Sequence, residues 1–106
     1  MFIQFEETPN PNTLKFLPGQ TVLKQGSYDF KSEDDAKVSP LARKLFEING
    51  VTGVFFGTDF VSVTKDEEAI WDTVKPHVLG RIMEHYTTGL PVMDDESYLN
   101  NDSADD

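Results

Sequence analysis

Two β-rich runs, Val51–Phe56 and Phe60–Lys65, are separated only by Gly57-Thr58-Asp59. So short a link leaves room for an antiparallel hairpin and little else, because a parallel pairing needs a crossover of a dozen residues or more. A second pairing is written at the start of the chain. Phe2, Ile3 and Phe5 open a β-rich run that stops at Glu7-Thr8-Pro9-Asn10-Pro11-Asn12, whose two prolines lack amide donors and cannot sit inside a ladder. Leu14-Lys15-Phe16-Leu17 then resumes with period-2 alternation, Leu14 and Phe16 sharing a face, and ends at Pro18-Gly19. Strand, stiff loop and strand read as another hairpin.

Between the hairpins, Gln20–Lys24 and Tyr28–Lys31 have short strand character, split by Gln25-Gly26-Ser27, and are expected to form an irregular edge. Helix signals follow. Ser39 is placed to cap, Pro40 takes the first helical position where a missing amide costs little, and Asn49-Gly50 forms a left-handed stop. Leu41, Ala42, Leu45 and Phe46 supply the apolar stripe. A second helix is expected to begin at Asp66-Glu67-Glu68, where negative charge favours the macrodipole. It would run along Ile70, Trp71, Val74, Val78, Leu79, Ile82, Met83 and Tyr86 and stop at Gly89 and Pro91. Pro76 removes one helical amide and predicts a kink or break. The expected fold is therefore α+β: an antiparallel sheet from two hairpins in ββαββα order, with two helices packed on one face, the alternative being a parallel βαβ sheet with the first helix as crossover.

The formal net charge is −10, yet six of the nineteen acids fall in the last thirteen positions. A domain over residues 1–93 then holds thirteen acids against nine bases, followed by an acidic flexible tail or interdomain linker over 94–106. Such a body has no basic stripe for nucleic acid or anionic lipid, and no apolar run nears the roughly 18 residues of a membrane span. Neither partner is expected. Cysteine is absent, which excludes disulfides, thiol nucleophiles and thiolate-held clusters within this chain.

Catalytic machinery is not visible either. His77 and His85 stand eight residues apart, too far to share a metal as a pair one helical turn apart would, and both are expected to be surface or partly buried residues. Glu33-Asp34-Asp35 lacks the alternating ligands and closing glutamate of a calcium loop. No nucleophile elbow or phosphate-binding glycine loop occurs. The aromatics Phe55, Phe56, Phe60 and Trp71 are read as core packing, since a stacking platform for single strands would need a positive groove. The expectation is no enzyme, no catalytic residue, no metal ligand and no bound cofactor. Thr8, Pro9, Asn10, Pro11 and Asn12 remain as the candidate partner-contact residues: a rigid polar surface that loses little entropy on binding. A plain hairpin stiffener is the competing reading of the same loop.

Thr8-Pro9-Asn10-Pro11-Asn12 with Leu14-Lys15-Phe16, then Ser39-Pro40-Leu41-Ala42, Gly50-Val51, Val54-Phe55-Phe56-Gly57, Asp59-Phe60-Val61, Val63-Thr64-Lys65, Trp71 and Lys75-Pro76 together resemble the N-terminal domain of Nfu (NifU-like) iron–sulfur cluster scaffold proteins. The resemblance covers roughly residues 1–92 in order. It implies a domain joined to a C-terminal module whose Cys-x-x-C motif, shared by two chains, holds a [4Fe–4S] cluster for delivery to recipient apoproteins. This chain departs from that pattern in having no Cys-x-x-C, so cluster carriage transfers only to a longer parent protein. The implied partners are iron–sulfur assembly proteins, recipient apoproteins and the cluster module of the same parent, with the isolated domain a monomer. The start Met1-Phe2-Ile3-Gln4 points to the bacterial cytoplasm, with the mitochondrial matrix as the alternative. A small-molecule-binding regulatory domain is the alternative function, since fold alone does not choose between them.

Overall fold

A computed structural model describes residues 2–94. Strands β1 (Gln4–Glu7), β2 (Thr13–Leu17) and β3 (Tyr28–Phe30) precede helix α1 (Pro40–Phe46), followed by β4 (Val51–Phe56), β5 (Val61–Lys65) and helix α2 (Trp71–Thr88). All pairings are antiparallel, in the order β1-β2-β5-β4-β3. Both predicted hairpins form, and β2 pairs with β5 to join them. The strand count is five, because Tyr28–Phe30 pairs with Val54–Phe56 as the second sheet edge. Gln20–Lys24 forms no strand: it crosses the end of the β4-β5 hairpin, where the Val22 amide donates to the Thr58 carbonyl at 2.7 Å.

Register explains the core. Leu14 and Phe16 stand opposite Val63 and Val61, which stand opposite Val54 and Phe56, with Phe30 beside Val54. All seven are buried on one face, where they meet Leu41 and Leu45 of α1 and Val74, Val78 and Ile82 of α2. Burial of this apolar surface, at roughly 25 cal/mol per Å², is what holds the two layers together. On the opposite face Thr13, Lys15, Leu17, Phe55, Ser62 and Thr64 remain partly exposed. Phe55 and Phe60 stack there with ring centroids 5.9 Å apart, so of the four aromatics read as core only Phe56 is fully buried.

Ser39 caps α1 as expected, its hydroxyl accepting from the Ala42 amide. Gly50 adopts φ +101°, and a side chain there would collide with Ala69, so its place after the helix is fixed by both backbone and space. One helical start is corrected, and of the kink or break expected at Pro76 the break does not occur. α2 starts at Trp71 rather than at Asp66, because the Ala69 amide closes a turn on the Asp66 carbonyl and Ile70 stays extended. Pro76 lies inside a single continuous helix. Pro76 and Asp72, whose carbonyl loses its helical donor, are both exposed, so water can satisfy the freed oxygen. The tail expected over 94–106 lies, apart from Asp94, outside the described residues.

Candidate functional site

The loop from Thr8 to Asn12 is held by its own side chains. The Thr8 hydroxyl contacts the carbonyls of Asn10 and Thr13, each at 2.9 Å, and accepts from the Asn10 amide at 3.2 Å. Asn10 Oδ1 accepts from the Asn12 amide at 2.9 Å, the local turn that favours asparagine here. Two side chains from elsewhere lock the loop to the body. Lys65, 8% exposed on the helix-covered face of β5, donates from Nζ to Asn12 Oδ1 at 3.0 Å. Trp71, the first residue of α2, donates its indole N–H to the Pro11 carbonyl at 3.0 Å. Prolines fix φ at positions 9 and 11, so little conformational freedom remains to be lost on contact.

Between this loop and the indole lies a cleft of about 230 Å³, lined by Glu7, Thr8, Pro9, Asn10, Pro11, Thr13, Leu14 and Trp71. Four predicted contact residues therefore line one cleft, whereas Asn12 turns away to hold Lys65. Trp71 was expected in the core. It is only half-buried because it begins α2 at the sheet margin, where one indole edge meets a loop carbonyl. Lys65 and Trp71 are the partners that sequence reasoning missed. The available hint was that a buried indole N–H requires an acceptor, but the acceptor lies sixty residues away.

The histidines separate. His77 is exposed, but His85 is fully buried and neither ring nitrogen has a hydrogen-bond partner, contrary to the surface or partly buried position expected. Burial first, and the positive charge of Lys44 second, hold its pKa below the ordinary 6.5, outweighing an opposing interaction with the Leu90 backbone that falls short of a well-formed hydrogen bond. Beyond the end of α2, the chain runs against the segment that opens α1. Ser39 donates to the Val92 carbonyl, the Asp94 amide donates to the Val38 carbonyl at 2.7 Å, and Met93 is buried. Among the described residues no group of three histidine or acidic side chains could hold a metal ion.

Residues 3–89 match the family described as scaffold protein Nfu/NifU N terminal. A mitochondrial NFU1 iron–sulfur cluster scaffold homolog of Drosophila erecta is 53% identical over 96 residues, 90% of this chain and 34% of that protein. Its human counterpart is 49% identical over 98 residues, 92% and 39% of the respective lengths. The chain thus spans about a third of the curated relatives it matches. The solution structure of a NifU-like protein from Saccharomyces cerevisiae superposes with a TM-score of 0.79 at 28% identity, over 90% of this chain and 86% of that one. A crystal structure of a Staphylococcus aureus protein gives 0.67 at 31% identity, over 77% and 99%. The relatives' names are mitochondrial and lend no support to a bacterial cytoplasmic setting. Family match, sequence identity and shared fold agree: the chain belongs to the Nfu/NifU scaffold family, as its N-terminal domain.

Proposed function

We propose that this chain is the protein-interaction domain of an iron–sulfur cluster scaffold protein, acting in mitochondria and docking cluster-assembly proteins or recipient apoproteins while another module of the parent carries the cluster. The observation that carries this reading is the preorganised Thr8–Asn12 loop, tied to α2 by Trp71 and to β5 by Lys65. A loop that is already rigid loses little entropy when a partner covers it. The chain has no cysteine with which to hold a cluster itself, and no catalytic group is assigned to it. A small-molecule role at this cleft is disfavoured, because its volume of about 230 Å³ is below the roughly 300–1,000 Å³ of sites that bury such ligands. It suits one inserted side chain.

Calorimetric titration of the 106-residue chain against cluster-assembly and recipient proteins tests the reading. Saturable binding to at least one is expected, weakened about tenfold by joint Pro9→Ala and Pro11→Ala replacement while the melting temperature falls only a few degrees, as loss of two rigid residues predicts. Equal binding by that variant would remove the loop from the contact, and no binding by the parent chain would remove the interaction role.

A further inference from the structure

We propose that the cleft between the Thr8–Asn12 loop and Trp71 receives an arginine side chain presented by the partner protein. The inference rests on the interaction reading above and adds the chemistry of what is recognised. A guanidinium seeks a flat aromatic face and a carboxylate, and Trp71 and Glu7 supply both at one cleft. Glu7 stands opposite Leu14 in the β1–β2 register, which directs its side chain to the same face as the cleft wall. It has no ion pair among the described residues and is exposed. The indole is held in place through its bond to Pro11, so its ring need not reorganise when a cation stacks on it.

Charge and geometry exclude the other occupants. A leucine side chain would strip water from the Glu7 carboxylate and return no hydrogen bond. Lysine returns charge but neither the planar stack nor the fork that matches two carboxylate oxygens, and its ammonium is more tightly hydrated. A second copy of this chain is opposed by a net charge of −10, and its arginines, Arg43 and Arg81, are already bonded to Asp94 and Glu47. Among the described residues no lysine forms an ion pair with Glu7. Lys65, held by Asn12 Oδ1 and the Asp66 carbonyl, has its Nζ 5.8 Å from the centroid of the Trp71 ring and so covers one face of the indole, which leaves a guanidinium only the other face, and Lys75 lies 4.0 Å over the Phe5 ring.

Trp71 is the single tryptophan, so its indole N–H resonance and fluorescence report the cleft directly. The test titrates the 106-residue chain with four acetylated, amidated tripeptides, alanine on either side of arginine, lysine, citrulline or leucine. Saturable perturbation of Trp71 by the arginine peptide is expected, half-complete near about 1 mM, as for a single anchored side chain. The lysine peptide should bind about threefold more weakly, and the citrulline and leucine peptides about tenfold. Glu7→Gln, an exposed change that leaves the fold intact, should erase the preference for arginine over citrulline. Citrulline or leucine binding as well as arginine, no response at Trp71, or a Trp71 shift that grows with protein concentration alone would each overturn the proposal. A natural partner that binds the parent and the Glu7→Gln chain equally would also overturn it, while leaving the interaction reading in place.

Discussion

The two ends of α2 each carry a nitrogen-bearing ring, and the fold treats them in opposite ways. At the first turn Trp71 packs against the core but stays partly exposed, with its N–H satisfied by a loop carbonyl. Four turns on, His85 is sealed from solvent with both nitrogens unpaired. A polar group at the margin is cheaply satisfied by a nearby carbonyl or by water. A buried, unpaired one costs roughly 1–3 kcal/mol and is carried by the packing around it. The loop end of the helix therefore keeps its ring partly open to solvent, and the far end encloses its own.

Substitutions at the two ends should separate these roles. The largest effect is expected at the enclosed end, where Ile82→Ala should cost about 2–5 kcal/mol in urea unfolding, because Ile82 is fully buried. Trp71→Ala should cost only about 2 kcal/mol, roughly half the 3–5 of a fully buried aromatic. Equal losses at the two sites would break the contrast and return Trp71 to the core. Smaller still, Asn12→Ala should cost about 1–2 kcal/mol, since it deprives the nearly buried Lys65 ammonium of an acceptor. Thermal unfolding of that variant showing no loss would mean that water replaces the amide, and that the loop is less tightly tied than its bonds suggest.

The smallest change in stability, and the most diagnostic, belongs to His85. His85→Leu should leave stability at pH 8 within about 1 kcal/mol of the parent or raise it, because an unpaired polar ring is exchanged for an apolar side chain. Its pH dependence should differ more clearly. The folded protein resists protonating His85, so the unfolded chain takes up the proton first. Stability from this residue is full above about pH 6.5 and declines as pH falls below that toward the depressed folded value. Melting temperatures recorded from pH 8 to pH 5 should fall for the parent more steeply than for His85→Leu. Parallel curves would show that His85 finds a partner when charged.

Much of the fold was legible because its signals are local. The short link between Val51–Phe56 and Val61–Lys65 admits only an antiparallel turn, Ser39-Pro40 sets the start of α1, and the alternation of Leu14 and Phe16 marks the buried face. The loop Thr8–Asn12 was also legible as rigid, because its asparagine and proline chemistry acts within a few residues. Tertiary structure alone decided the rest. That Tyr28–Phe30 closes the sheet beside β4 depends on a partner more than twenty residues away. Pro76 could stay in a continuous helix because the carbonyl it leaves unbonded is on the wet side, which a helical pattern does not reveal. Trp71 and His85 both sit on the apolar stripe of α2, and only the packing of neighbouring segments separates them. The Pro11 carbonyl meets one ring at the margin and leaves it partly open, while the other is wholly enclosed. Residue type and spacing determine which side chains face inward; which of them are then covered is set by segments that arrive from far along the chain.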